Sequence, residues 1–523
     1  MKIHPDDVNA LHFLGLVFFE SGDYDSAISL IKKALRLCPG YADAYNNLGI
    51  IYQHTDHLND AEACYLKALS MNPNLCSAHI NLGKIFQKKR NVEEAIQCYE
   101  KALKCDPDNA EVHYNLGLLL DETGDVDEAI RCYRQAVQLE PGYFLAYHSL
   151  GNALHNKGLL EDAIVCHKKA IELSPEVPEF HYNLAVAFQE KCLLSESADS
   201  YRKAIQLNPE FAEAHLNISL IQLLSGNFED GWKGYEWRWK VKSFKRPDFP
   251  KPLWDGADIA GRTILIYAEQ GLGDTIQFIR YILLVAQRGA KVIVECQKEL
   301  ASLLRSVEGV TLVIPRGEPL PEFDLQCPLL SLPMLFNTTL ETIPANIPYI
   351  AADPRLVQKW KAKVSCDDSR LKIGLVWAGK PTYQRVRYRS YTLASFAPLA
   401  HLENATFFSL QKGSASEQAK HPPEGLRLID YTREINDFAD TAALVANLDL
   451  IIAVETSVAH LAGAMGKPVW ALIPFIPDWR WLLNRSDSPW YPTMKLFRQR
   501  SYGEKESVIH QILEELASLG ALR

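Results

Sequence analysis

The sequence predicts a multidomain chain: an α-helical solenoid followed by an α/β region of two Rossmann-like domains. Three observations carry this. Prolines stand 34 residues apart at Pro39, Pro73, Pro107, Pro141, Pro175 and Pro209, and a fixed period of this length marks stacked helical hairpins. From Arg262 the grid gives way to short apolar runs alternating with helical patterns, as in parallel sheets. Those runs form two sets, separated by a break near Asp353 to Asp368. The expected domains are 1–243 for an array of about seven repeats, 244–368 for the first α/β half, and 369–523 for the second half with a final bracing helix.

Within the array, a small residue recurs where the first helix of each hairpin meets its partner: Gly15, Gly49, Gly83, Gly117, Gly151 and Ala185. Ala27, Ala61, Ala95, Ala129 and Ala163 recur in the second helix, with Ser197 in the sixth copy. Bulky residues follow at Ile31, Tyr65, Tyr99, Tyr133, His167 and Tyr201. Small residues let helices approach, large ones fill the space between hairpins, and proline closes the second helix. The pattern resembles the tetratricopeptide repeat (TPR). A seventh copy starts near Ala212 and decays through Gly231 and Tyr235, as a capping repeat does. Pro5 falls on the same grid, so the chain is expected to begin in the tail of an earlier repeat.

Two ladders stand out. Asn47, Asn81, Asn115, Asn183 and Asn217, with Ser149 between, hold one position of successive copies. Asparagine is a middling helix former, so propensity does not explain it. Either these amides hold an extended peptide on the concave face, giving one donor and one acceptor each, or they cap or bridge neighbouring hairpins. The arrangement is similar to the arrays of O-linked N-acetylglucosamine transferases. Cys64, Cys98, Cys132 and Cys166 form the second ladder. Stacked helices hold them about 10 Å apart, beyond the roughly 7 Å limit for a disulfide, so they are read as packing residues.

A net charge of −9 gives no nucleic-acid footprint. No apolar run is long enough to span a membrane. With no signal stretch and no paired cysteine framework, a cytoplasmic location is expected. The segment joining the halves is aromatic, with Trp232, Tyr235, Trp237, Trp239 and Trp254.

In the second half, TILIYA (263–268), KVIVEC (291–296), TLVIP (311–315), KIGLVWAG (372–379), TFFSLQKG (406–413), LRLID (426–430), LDLIIAVE (448–455) and PVWALIP (468–474) read as strands. Helices are expected at 275–288, 437–447, 456–465 and 504–519. The GLGD loop offers half of a dinucleotide fingerprint, lacking its third glycine, with Glu295 as the acid. There is no P-loop and no GxSxG elbow. The DxD pairs Asp23/Asp25, Asp106/Asp108 and Asp125/Asp127 fall at turns of the array and read as caps, so no metal site is expected. An anion site is legible instead. Thr456 and Ser457 open a helix after a strand, with His460 one turn in. Lys380, Arg385, Arg387 and Arg389 follow another strand and suit a diphosphate; as a charge run they also fit a solvated loop.

This half resembles the heptosyltransferase-like glycosyltransferases of the GT-B fold. The GLGD loop, the loop ending at Arg389, LQKGSASE and ETSVAHLAGAMGKPVW occur in that family's order. The resemblance implies metal-independent inverting transfer from a nucleotide sugar, with no further cofactor. It implies that Asp274 is the base, that Arg389 stands where the family has a phosphate-binding lysine, that Glu417 contacts the nucleotide ribose, and that Thr456, Ser457 and His460 meet the phosphate and sugar. Glu455 takes the place of the family's aspartate beside the donor sugar, which leaves the sugar open. Trp479 and Trp481 either line the sugar pocket or pack an interface. The acceptor expected is a protein or peptide held by the array. The alternatives are an interaction scaffold whose transferase half is inactive, or a transferase acting on a lipid or polysaccharide.

Overall fold

The computed structural model describes residues 6–365, 370–380 and 389–518. The chain divides into two compact units, Met1–Pro209 and Glu210–Arg523.

The first unit is a TPR solenoid. Its described helices run from Val8–Glu20 to Leu194–Leu207 and pair as antiparallel hairpins. The reason for the small residues is steric. A Cβ on Gly83 would lie 2.7 Å from the Tyr99 ring, and one on Gly49 would lie 2.6 Å from that of Tyr65. Both rings are fully buried, and their hydroxyls donate to Gln87 (3.1 Å) and Gln53 (2.9 Å) on the partner helix. Three histidines lock the turns between hairpins, since His79, His113 and His181 reach the carbonyls of Pro73, Pro107 and Pro175 at 2.8–2.9 Å. The turn inside each hairpin has a left-handed residue, again at intervals of 34: Gly22, Asp56, Arg90, Gly124, Gly158 and Cys192. Glycine takes this conformation without strain, and Asp56, Arg90 and Cys192 do not. Asp23 and Asp125 are N-caps, accepting from Ser26 and Glu128 N–H.

The second unit starts at Glu210. The seventh hairpin, Ala212–Leu224 and Phe228–Tyr235, is intergrown with the α/β part. Trp232 packs edge-on against Phe278, Trp479 and Trp490. Arg238, fully buried, joins Glu236 (2.5 Å), Glu269 (3.1 Å) and Ser331 (2.8 Å). A capping repeat normally shows a polar outer face; here an ionic and aromatic core replaces it.

Two parallel sheets follow. The first has the order β3–β2–β1–β4, with β1 (Thr263–Tyr267), β2 (Lys291–Cys296), β3 (Val310–Pro315) and β4 (Leu325–Pro328). The second has β10–β9–β8–β5–β6–β7, with β5 (Leu371–Val376), β6 (Ala405–Ser409), β7 (Leu428–Asp430), β8 (Leu450–Val454), β9 (Val469–Ile473) and β10 (Met494–Arg498). All their pairings are parallel. The unforeseen strands are β4 and β10. The expected 275–288 helix is broken into Leu272–Phe278 and Ile282–Gln287 by a 3-10 turn. The last helix, Lys505–Ser518, puts Val508, Ile509, Ile512 and Leu516 into the second sheet's core with Leu375, Phe396 and Leu472. No helix among the described residues is long and apolar enough to cross a membrane.

The direction in which successive strands are added reverses between β1 and β4 in the first sheet, and between β5 and β8 in the second. The crevice beyond the strands' carboxyl ends at such a switch point is where open α/β sheets take ligands. The GLGD loop leaves β1, Trp377–Lys380 leave β5, and Glu455–Ser457 leave β8.

Candidate functional site

Two helix starts meet in the second unit. The Leu272–Phe278 helix begins inside GLGD, three residues earlier than expected, because extended Gly271 (φ −75°, ψ 170°) takes the cap position. Asp274 is therefore the third residue of the helix, where a carboxylate reaches back to the cap N–H; its Oδ2 accepts from Gly271 N at 2.8 Å. Opposite lies the Ser457–Ala464 helix, whose N-cap Thr456 is extended and makes no side-chain cap bond. The Thr456 hydroxyl donates to Val454 O instead (3.2 Å), so the first turn keeps uncapped N–H groups, as an anion site needs. The two starts touch. A Cβ on Gly273 would lie 3.0 Å from His460 Cδ2 and 3.5 Å from Ser457 Cα.

Charge collects around this contact. Arg480, from the loop after β9, ion-pairs with Asp274 Oδ1 and with Asp478 (2.8 Å), and donates to Gln277 (2.5 Å). Burial opposes its charge, but Asp478 and Asp274 outweigh burial and its pKa rises. Glu455 is 8% exposed. Burial, then the Asp478 carboxylate, raise its pKa to about 7, against Arg389 and Arg480, which lower it. Arg389 is thus close enough to Glu455 for their charges to interact. His460 is buried, with Nδ1 2.9 Å from the Tyr491 hydroxyl and its ring stacked on Trp481. Burial, then Arg480, push its pKa down to about 3. It is a neutral imidazole at pH 7 and offers a hydrogen bond, not a cation.

The fold brings Asp274, Arg389, Glu455, Thr456, Ser457 and His460 together at these two switch points. Lys380 is exposed and is the last residue described after β5. Arg385 and Arg387 lie outside the described residues. Glu417 stands exposed on a 3-10 turn beyond β6, ion-paired with Lys420. Trp479 and Trp481 are buried, the former among Trp232, Phe278 and Trp490. Sequence reasoning missed Arg480, Asp478 and Gln277. The only signal was Arg480's place between two tryptophans.

In the first unit, the asparagine amides are half-buried. Asn47 donates to His12 Nε2 (2.9 Å), Asn81 to Asn46 (3.2 Å), and Asn183 to His148 Nε2 (3.4 Å). Each partner belongs to the preceding hairpin. The residue 35 positions before Asn115 is Ile80, whose side chain offers no acceptor. Asn217 lies on the first helix of the second unit. The amides at 47, 81 and 183 thus bridge hairpins and keep acceptor capacity on their oxygens.

Residues 3–218 match the family model described as the Cilia and flagella-associated protein 70 C-terminal domain. Protein FlbA of Caulobacter vibrioides (strain ATCC 19089 / CIP 103742 / CB 15) is 28% identical over 333 residues, 58% of this chain and 54% of FlbA. The chain thus spans about half the length of that curated relative. Among solved structures, YrrB, described as a TPR protein with an unusual peptide-binding site, is 26% identical over 35% of this chain and 95% of its own, with a TM-score of 0.34. MamA is 30% identical over 31% and 94%, with a TM-score of 0.30. Pseudomonas aeruginosa pilF is 24% identical over 39% and 90%, with a TM-score of 0.34.

Proposed function

We propose that the chain is a glycosyltransferase that moves a sugar from a nucleotide-sugar donor, without a metal, to a protein or peptide bound by the repeats. One observation carries the reading: two helix starts at facing switch points approach each other at Gly273, Ser457 and His460. There, uncapped N–H groups and Arg389 suit a diphosphate, and Asp274 is the carboxylate for the acceptor proton. The order of the GLGD, Arg389, LQKGSASE and ETSVAH segments supports it, as does their resemblance to the heptosyltransferase-like GT-B enzymes. Repeat arrays commonly present a face to a polypeptide, which supports the acceptor class. A second reading has its own support. The Asp274–Arg480 ion pair occupies one oxygen of the base, which favours an interaction scaffold with an idle transferase half.

The test is a panel of nucleotide sugars in excess EDTA, followed by release of nucleoside diphosphate, with calorimetry of the free diphosphates. One donor is expected to turn over, and its diphosphate to bind more weakly to Arg389→Ala. Turnover or binding that vanishes on chelation overturns the metal-independent reading. Absence of both, with or without divalent metal, favours the scaffold.

A further inference from the structure

The third hairpin carries an anomaly outside the site above. Its helices, Cys76–Lys88 and Val92–Cys105, are antiparallel, so the first residue of one stands beside the last residue of the other. In neighbouring hairpins these two positions hold Ala42 and Met71, Ala110 and Leu139, Phe144 and Leu173, and Pro178 and Leu207. In the third hairpin both are cysteines. Cys76 and Cys105 line a groove of about 820 Å³ with Leu66, His79, Lys101 and Lys104. Cys105 Sγ donates to Lys101 O (3.3 Å) and Cys76 Sγ to Asn74 O (3.8 Å). The Cys105 thiol stands near enough to Cys76 to act on its ionisation. The cysteine ladder is different. Cys64, Cys98, Cys132 and Cys166 sit one per repeat, and burial pushes each thiol up to about 11.

We propose that Cys76 and Cys105 are a reversible dithiol pair, oxidised by a small anionic disulfide such as oxidised glutathione to a bridge across the open end of the third hairpin. Cys105 is the exposed partner, with Lys101 and Lys104 at hand to draw in an anion. Its thiolate attacks one glutathione sulfur, forms a mixed disulfide and expels one glutathione thiolate. The Cys76 thiolate then attacks the Cys105 sulfur, forms the protein disulfide and expels the second. Two protein thiols lose two protons and two electrons, and one oxidised glutathione becomes two reduced. Burial and the neighbouring thiol raise the Cys76 pKa, while its place at a helix N-terminus favours the thiolate. The second step therefore quickens as pH rises above neutral.

The full chain is equilibrated at pH 8 in mixtures of oxidised and reduced glutathione, quenched with an alkylating agent, digested and mapped by mass spectrometry. The expected product is a linked Cys76–Cys105 peptide pair, lighter by two hydrogens than the reduced pair. It should follow the glutathione ratio and disappear in dithiothreitol, while the four ladder cysteines stay alkylated. Cys76→Ser should lose the bridge completely and leave a glutathione adduct on Cys105. The proposal is overturned if wild type shows only adducts, if Cys105 links to another cysteine, or if both thiols stay reduced at the highest ratio. Since wild-type mapping decides between these outcomes, a variant that fails to fold does not rescue the proposal.

Discussion

Glu455→Gln tests the electrostatics of the cleft most directly. The Glu455 pKa is raised from 4.5 to about 7, by burial first and Asp478 second. An acid raised on folding keeps its proton longer in the native state, so its contribution is complete below 4.5 and is lost as pH climbs to 7. The gap, at about 1.4 kcal/mol for each pH unit, comes to roughly 3 kcal/mol. Most of it, roughly 2.5 kcal/mol, falls between about pH 5 and 8. Glutamine is neutral throughout and removes that slope. Its own burial cost is independent of pH, so the change in the mutant–wild-type difference between the two pH values is the readout. All ten tryptophans, Trp232 to Trp490, lie in the second unit, so fluorescence-detected urea unfolding reports that unit alone. The variant should gain on wild type by roughly 2.5 kcal/mol from about pH 5 to 8. A pH-independent difference, or a variant that loses ground at high pH, would mean that Glu455 is ionised and held by Arg389 and Arg480, and would refute the reasoning.

Gly83→Ala places a Cβ 2.7 Å from the Tyr99 ring and should destabilise the array by about 1–3 kcal/mol. Gly40→Ala, which meets nothing within 4 Å, should change it by under about 0.5 kcal/mol; circular dichroism melts compare the two. Arg90→Gly relieves a left-handed turn (φ 61°) and should stabilise the array by up to about 1 kcal/mol; a loss in the same melts counts against the strain. Arg238→Met strands Glu269, which is 3% exposed, and should cost the second unit about 3–5 kcal/mol in fluorescence-detected unfolding, where a near-neutral result would show that the cluster is not holding it. Asp274→Asn should cost about 1 kcal/mol as a lost cap, but on the order of 10²–10⁴ in transfer rate once a donor is known. Near-normal turnover removes Asp274 as the base.

Local periodicity made most of the fold legible. Small and bulky residues in one phase mark the hairpins because each packs on its own neighbour, and buried strands such as Leu450–Val454 are continuous apolar runs. What escaped depends on distant partners. β4 is four residues long, and its pairing extends to the linker through Leu253 and Gln326. Arg238 looked like part of an aromatic linker, yet its partners are Glu269 and Ser331, 31 and 93 residues away. That pairing is also why the seventh hairpin belongs to the second unit. In the cleft, residues on strand-end loops were readable because strand ends are readable. Arg480 was not, since it reaches Asp274 across 206 residues.

That ion pair shapes how the transferase reading must work. An ionised carboxylate offers about four acceptor sites, and Asp274 spends one on Gly271 N–H and another on Arg480. Sites remain for an acceptor hydroxyl, so occupancy does not bar Asp274 from being a base. Access is the harder matter. The ion pair turns Asp274 Oδ1 toward Arg480, so an acceptor hydroxyl must approach the lone pairs left over. A diphosphate on the uncapped turn at Ser457 brings negative charge beside Arg389 and competes with Asp274 and Asp478 for Arg480. Each share of Arg480 that it takes loosens the ion pair and frees Asp274 Oδ1 for the acceptor. On this reading proton removal from the acceptor waits for a sugar to be in place.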